Sequence, residues 1–292
     1  MHGAPSRRDL MAGAASSLCA GAAFAAEGLG AIEARVGGRL GVAALDLASG
    51  ARLEHRAGER FPMCSTFKAM AVAAALARVD KGALSLDTFV RYGEADLLGY
   101  APVTRAHVKE GGLPFRDLCA AAVKLSDNTA ANLILAAIGG PAGWTAFARR
   151  VGDDVSRLDR NEPTLNTSIP GDPRDTTTPS AMLGDLRKAV LGDALTPASR
   201  KLLRDWMIAG QTGGKRLRAG LPGAWRVGDK TGTGDHASTN DIAVVWTPTA
   251  PILITCYFTG AESASGDARE AAIAEVGRLV ARGFRPNETA HG

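Results

Sequence analysis

The chain has 292 residues, 46% hydrophobic and 22% charged, with a formal net charge of +4 at pH 7. This composition excludes whole-chain disorder and fibrous repeats, and the length suits one large domain or two small ones around a real core. The cationic surplus, 34 Lys+Arg against 30 Asp+Glu, is small and scattered, which argues against a nucleic-acid partner.

Residues 1–25 read as an export signal. Arg7 and Arg8 precede a weakly apolar stretch from Leu10 to Ala26, rich in Ala, Gly and Ser, and Ala23-Phe24-Ala25 is an A-x-A cleavage pattern. The paired arginines resemble a Tat signal, with the Sec route as the alternative, so the expected location is the periplasm. The body has no apolar run of the roughly 18 residues that a membrane span needs, so no membrane association is expected after signal removal.

Ala26–Gly37 has a helical pattern. Leu40–Asp46 reads as an apolar strand, Ala48-Ser49-Gly50 as a turn and Ala51–Arg56 as the hairpin partner. From Cys64 to Gly210 Ala-rich helical patterns dominate, over 65–79, 115–124, 127–138, 143–151, 180–191 and 197–209. Thr178-Pro179 and Thr196-Pro197 each place a capping hydroxyl before a proline in the first turn, and Gly210 is the expected stop of the last of these helices. Between them, Asp153–Thr178 is long, polar and broken by proline, the signature of a functional or disordered loop. Strands return at Trp225–Thr231, Asp241–Thr247 and Ile252–Thr259, before a final helix over Asp267–Arg282.

Strands at both ends with helices between them predict an α/β (α+β) fold. One antiparallel sheet is formed by both chain ends and flanked by helices, and an all-helical domain is inserted into it. The expected lobes are 26–62 with 211–292, and 63–210.

Three short motifs carry the chemistry. Ser65-Thr66-Phe67-Lys68 opens a helical pattern and puts Lys68 one turn beyond Ser65 on the same face, within reach of the hydroxyl proton. The helix end adds partial positive charge and free N–H groups. Ser126-Asp127-Asn128 begins another helix, and Lys230-Thr231-Gly232 ends a strand. Each motif alone reads equally as an ordinary cap or turn. Their order and spacing weigh more: 58 residues separate Lys68 from Ser126, and 102 separate Asn128 from Lys230.

With these motifs the chain resembles the class A serine β-lactamases, which share the set with penicillin-binding proteins. The resemblance spans essentially the whole mature chain. It includes Phe61–Cys64, Ser126–Asn132 (SDNTAAN), Arg160–Asn166 (RNEPTLN), Gly171–Thr177 (GDPRDTT), Gly228–Gly234 (GDKTGTG) and Thr239–Ala243 (TNDIA). It implies hydrolysis of the β-lactam amide bond of antibiotics through a serine acyl-enzyme, giving resistance, by a monomer whose active site lies between the two lobes. Ser65 is the implied nucleophile, Lys68 or Glu162 the acylation base, and Ser126, beside Lys230, the donor to the leaving nitrogen. Backbone N–H groups of Ser65 and Thr233 are the implied oxyanion hole, and Asn128 the partner of the substrate's side-chain amide.

The long loop becomes an Ω-type loop over 157–176, with Glu162 and Asn166 holding the hydrolytic water and Arg160–Asp175 closing its neck. Lys230, Thr231 and Thr233 form a cationic, hydroxyl-rich edge for the substrate carboxylate, and Tyr100 matches the aromatic wall of the cleft. Many members add an arginine after the Lys-Thr-Gly segment, and Ser238–Asp241 holds none. Arg216 is the expected substitute, with Arg218 as its solvated neighbour.

No cofactor and no metal is expected, because the five histidines lie far apart without HxH or HExxH, and the four cysteines show no CxxC. The family's disulfide partners of Cys119 and Cys64 match Val72 and Gly234 here, so free thiols are expected, with a Cys64–Cys256 bridge left open. A DD-peptidase or a non-catalytic β-lactam sensor would share the serine motif but lack Glu162 and Asn166. A serine amidase or esterase on the same scaffold is the remaining alternative.

Overall fold

The computed structural model describes residues 27–285, so the expected export signal lies outside the described residues. A first helix, α1 (27–36), leads into the hairpin β1 (Arg39–Asp46) and β2 (Arg52–His55). There follow β3 (Phe61–Pro62), a 3₁₀ turn at Cys64–Thr66, α2 (Phe67–Val79), β4 (Phe89–Arg91), α3 (Pro102–Ala106), β5 (Gly112–Pro114), α4 (Phe115–Lys124), α5 (Asn128–Ile138) and α6 (Gly140–Arg150). The second half holds β6 (Thr176–Thr177), α7 (Pro179–Val190), α8 (Pro197–Ile208), α9 (Leu217–Gly220), β7 (Arg226–Thr233), β8 (Thr239–Trp246), β9 (Ile252–Thr259) and α10 (Gly266–Phe284).

The large sheet has the order β2-β1-β9-β8-β7, with every neighbouring pair antiparallel. Its first long strand thus pairs with its last, Val42 opposite Cys256, which joins the two chain ends in one sheet as expected. Side chains alternate between two covered faces. Val42, Ala44, Ile254 and Phe258 pack with Leu29, Ile273, Val276 and Val280 of α1 and α10. Ala43, Leu45, Leu253 and Tyr257 face the helical core instead. Burial on both faces explains why these strands read as continuous apolar runs rather than as alternating ones.

At the centre of the inserted helices stands α2, whose residues from Phe67 to Ala77 are all buried. Its alanines let α4, α5, α6 and α8 approach closely, and Trp144 anchors its start by donating Nε1–H to the Phe67 carbonyl at 3.0 Å. The predicted caps form: the Thr178 and Thr196 hydroxyls accept from Ala181 N at 3.2 Å and Ser199 N at 3.3 Å.

Several expectations need correction. Ser65 lies in the 3₁₀ turn, and α2 itself begins at Phe67. Gly210 does not stop α8 in a left-handed conformation, since the last turn closes on Ala209 with φ −79°. It is needed for space, because a Cβ there would lie 2.9 Å from the Met207 carbonyl and 3.3 Å from Asp229 Oδ1. β7 continues to Thr233, so Lys-Thr-Gly lies within a strand rather than at its end. The small pairs β3–β6 and β4–β5 and the short helices α3 and α9 were not expected. Among the described residues no single helix is long and apolar enough to cross a membrane.

Candidate active site

The serine is delivered by strain and close packing. Pairing of β3 with β6, and a bond from Met63 N to the Asp175 carbonyl at 2.9 Å, lead the chain into the turn. Cys64 then takes a φ of 45°, in the left-handed region that a side chain rarely adopts. Gly232 of β7 passes so near that a Cβ would stand 2.8 Å from the Met63 carbonyl and 3.2 Å from Ser65 N. Only glycine lets the strand edge run beside the serine.

Lys68, fully buried one turn later, gathers the motifs together. Its Nζ has Ser65 Oγ at 2.9 Å, Asn128 Oδ1 at 2.5 Å, and the Ser126 carbonyl and Oγ at 2.8 and 3.3 Å all within hydrogen-bond distance, more acceptors than its three N–H groups can serve at once. It also pairs with Glu162 Oε1 at 2.9 Å, both side chains being inaccessible. Burial pushes the Lys68 ammonium below its ordinary range, and Glu162 opposes that shift. Lys230 donates to Ser126 Oγ at 3.0 Å and to the Thr231 carbonyl at 2.8 Å. Its pKa is lowered well below the usual lysine value, first by burial and then by the nearby charge of Lys68. Ser126 thus sits between two buried amines whose protons are held loosely.

The Ω-type loop brings its carboxylate to the same point. Ser65 Oγ–H donates to Glu162 Oε1 at 3.3 Å, and Asn166 Nδ2 donates to Glu162 Oε2 at 2.5 Å. The other amide atom, Asn166 Oδ1, is buried without a protein partner. Asp175 closes the loop neck: its Oδ2 accepts from Arg160 Nε at 2.6 Å, and its Oδ1 from the backbone N–H groups of Asp159 and Arg160 at 2.8 and 2.9 Å. The pair is largely buried, at 18% and 1% exposure, so it fixes the loop as a solvated pair would not.

These groups border a cleft of about 310 Å³ lined by Ser65, Tyr100, Ser126, Asn128, Asn166 and the β7 edge Thr231–Thr233. Lys68, Glu162 and Lys230 lie just beneath its floor. Arg216 reaches it from below the strand, donating to the carbonyls of Gly232 and Asn240 at 2.9 and 2.8 Å and to Thr233 Oγ1 at 2.8 Å, while its Nε pairs with Glu270 at 3.2 Å. Tyr100 is 52% exposed on one wall, and its carbonyl accepts from Asn128 N at 3.0 Å. Every predicted site residue therefore gathers in or under one cleft.

Comparison with known proteins agrees with this geometry. Residues 25–284 match the model of the β-lactamase enzyme family. β-Lactamase L2 of Stenotrophomonas maltophilia is 49% identical over 271 residues, covering 92% of this chain and 89% of that protein. β-Lactamase CTX-M-8 of Citrobacter amalonaticus is 48% identical, covering 88% of each. The chain belongs to the class A β-lactamase family. Among solved structures of the family, an ancestral Gram-negative class A β-lactamase superposes with a TM-score of 0.87 at 60% identity, covering 89% of this chain and all of that one. A putative class A β-lactamase, PenP of Rhodopseudomonas palustris, gives 0.86 at 54% identity, covering 88% of this chain and 98% of its own.

Within this family framework one expectation fails and several residues were missed. Arg218 is not a solvated neighbour. It donates from Nε to the buried Asp229 carboxylate at 2.7 Å and from Nη2 to the Met207 and Ile208 carbonyls at 3.1 Å. Asn132 grips Glu162 by its backbone, Nδ2 to the carbonyl and Oδ1 from the N–H, both at 2.9 Å. Its place in the SDNTAAN run was the available signal. Thr212 lines the cleft and shares a 2.6 Å hydrogen bond with Thr231 Oγ1, and nothing in its sequence context marked it. Asn240 Nδ2 ties β8 to the serine turn through the Pro62 and Met63 carbonyls at 2.9 and 3.2 Å. Cys64, Cys119 and Cys256 are buried and free, and burial pushes the first two thiols up to about 12. Among the described residues no group of three or more His, Cys, Asp or Glu is placed to hold a metal ion.

Proposed function

We propose that this cleft hydrolyses the β-lactam amide bond of antibiotics through an acyl-enzyme on Ser65, and so confers β-lactam resistance. The observation that carries the reading is the position of Ser65 Oγ, 2.9 Å from Lys68 Nζ and 3.3 Å from Glu162 Oε1. Both a lysine with a depressed pKa and a carboxylate touch the hydroxyl, so its proton passes to the Lys68–Glu162 pair as Oγ attacks the carbonyl. The N–H groups of Ser65 and Thr233 hold the oxyanion. Ser126 protonates the leaving nitrogen and is resupplied by the amines on either side.

In the second half-reaction Glu162 is the base and Asn166 the amide partner of the attacking water. Thr231, Thr233 and Arg216 receive the substrate carboxylate, Arg216 acting partly by orienting Thr233. Asn128 and Tyr100 take the acyl side chain. A peptidase or sensor on this scaffold has no use for the Glu162–Asn166 pair. The lobes comprise 26–62 with 211–292, and 63–210, and the chain works as a monomer exported to the periplasm by residues 1–25.

Nitrocefin turnover by the purified protein tests the reading. Ser65→Ala is expected to abolish it. Glu162→Ala is expected to accumulate a penicilloyl adduct visible by mass spectrometry. Wild-type turnover by Ser65→Ala, or continued hydrolysis without an adduct in Glu162→Ala, would refute the assignments.

A further inference from the structure

A second cavity of about 250 Å³, sharing no lining residue with the cleft, lies between the Ω-type loop, β3 and the ends of β1 and β9. Its charged lining is mostly cationic: Arg39, Arg60, Arg160 and Arg174 against Asp172 and Glu262. Carboxylates neutralise most of these arginines. Arg39 pairs with Glu59 at 2.7 Å, Arg160 with Asp175 at 2.6 Å and Arg174 with Asp172 at 2.7 Å, while Glu262 meets the His236 ring at 3.0 Å. Arg60 is different. Its guanidinium bonds only the neutral Thr176 Oγ1, at 3.0 Å, and no carboxylate among the described residues pairs with it. The other walls include the apolar side chains of Leu165, Ile169, Pro170 and Pro173, with Ile169 left 48% exposed.

An uncompensated guanidinium beside an apolar wall is a recognition element for an amphipathic anion. The volume is near the lower end of small-molecule sites, about 300 Å³, so the ligand is compact. We propose that this cavity is a second binding site, separate from the catalytic cleft, for a small amphipathic anion whose carboxylate or sulfonate meets Arg60 and whose apolar body lies on Ile169, Leu165 and Pro170. The site is coupled to the cleft by one turn of chain. Leu165 and Ser168 flank Asn166, and Ser168 Oγ donates to the Asn166 carbonyl at 3.2 Å and contacts Cys64 Sγ at 3.5 Å. A ligand here therefore rests against the back of the segment that holds Glu162.

The probe is 8-anilinonaphthalene-1-sulfonate, titrated by fluorescence into the folded full chain. Saturable one-site binding is expected. Arg60→Glu weakens it by about tenfold or more, the loss of one charge-assisted contact, while Arg60→Lys retains most of the affinity. Tyr100→Ala, which alters only the catalytic cleft, leaves the affinity unchanged. The uncharged N-phenyl-1-naphthylamine binds at least about tenfold more weakly. Ile169→Asp supplies a second variant on the apolar wall and also weakens binding, with near-UV circular dichroism confirming native packing throughout. Unchanged affinity in Arg60→Glu, lost affinity in Tyr100→Ala, or no saturable binding would each overturn the proposal.

Discussion

Asp185 on α7 is buried to 2% exposure and faces the carboxyl of Asp153, with Lys188 and Arg149 as the nearest cations. Burial, reinforced by the Asp153 charge and a hydrogen bond to it, pushes the Asp185 carboxyl up to about 9. The pair therefore keeps a proton at neutral pH. A carboxyl whose folded pKa exceeds its ordinary value of 3.8 leaves the folded state holding the extra proton, so stability falls as pH rises from about 4 to about 9. Asp185→Asn keeps a donor toward Asp153 and removes the titration. It is expected to flatten that slope and to raise stability at pH 8 by at least about 1 kcal/mol, measured by urea unfolding across the pH range. Arg216 and Arg218 make a second contrast at this scale. Arg216→Ala is expected to raise KM by about tenfold for substrates held through the carboxylate, one charge-assisted contact being lost. Arg218→Ala is expected to leave KM in place and lower Tm, since it strips the partner from buried Asp229. Arg216 lines the cleft while Arg218 is held by Asp229, and that pairing could not be read from the sequence: Asp229, which engages Arg218, lies 11 residues away on another element.

At the scale of elements, what the sequence made legible was whatever local chemistry decides. The caps at Thr178 and Thr196, the β1–β2 hairpin and α4 are set by residues within a turn of each other. β3 with β6 is two residues against two, and joins segments more than 100 positions apart, so no local pattern announces it. The loop shows the same division. Glu162, Asn166, Arg160 and Asp175 were legible as a set, whereas Asn132 acts on the loop from α5, 30 residues away. Its two bonds fix the peptide from which the Glu162 carboxylate projects, and displacement of a catalytic group by about 1 Å can cost roughly a hundredfold in rate. Asn132→Ala is expected to slow deacylation more than acylation, giving a lower kcat with acyl-enzyme accumulating in the steady state. Stopped-flow separation of the two steps checks this, and an equal loss in both would assign Asn132 to folding alone.

For the whole molecule the decisive fact is that one sheet needs both chain ends, β1 lying between β2 and β9. That both ends share one sheet was readable from sequence, because apolar strand patterns flank a helical middle. The clamp that closes it was not, since its two residues are 239 positions apart. Arg285, just after α10, donates from Nη2 to Asp46 Oδ1 at 2.6 Å and from Nη1 to Oδ2 at 2.9 Å, at the turn end of β1. The side chains are 8% and 1% exposed. Burial alone pushes the Asp46 carboxyl up, but hydrogen bonds from Arg285, Ser49 and Ala48 outweigh it and hold the group below the usual aspartate value of 3.8. A depressed carboxylate pKa gives stability that is complete above that value and lost as pH falls through the folded one. Arg285→Ala leaves the carboxylate buried without its cation, at a cost of about 3 kcal/mol or more at pH 7. In that variant the Asp46 pKa moves upward, so acid relieves the defect instead of adding to it. The stability gap between wild type and Arg285→Ala is therefore expected to narrow as pH is lowered from 7 toward 4, measured by urea unfolding at fixed ionic strength. A gap that stays constant would mean that Arg285 acts by packing and not by charge. The sheet packs on one face against the helical core and on the other against α1 and α10, so the variant should still unfold in one transition, with the loss of secondary structure coinciding with the loss of nitrocefin turnover.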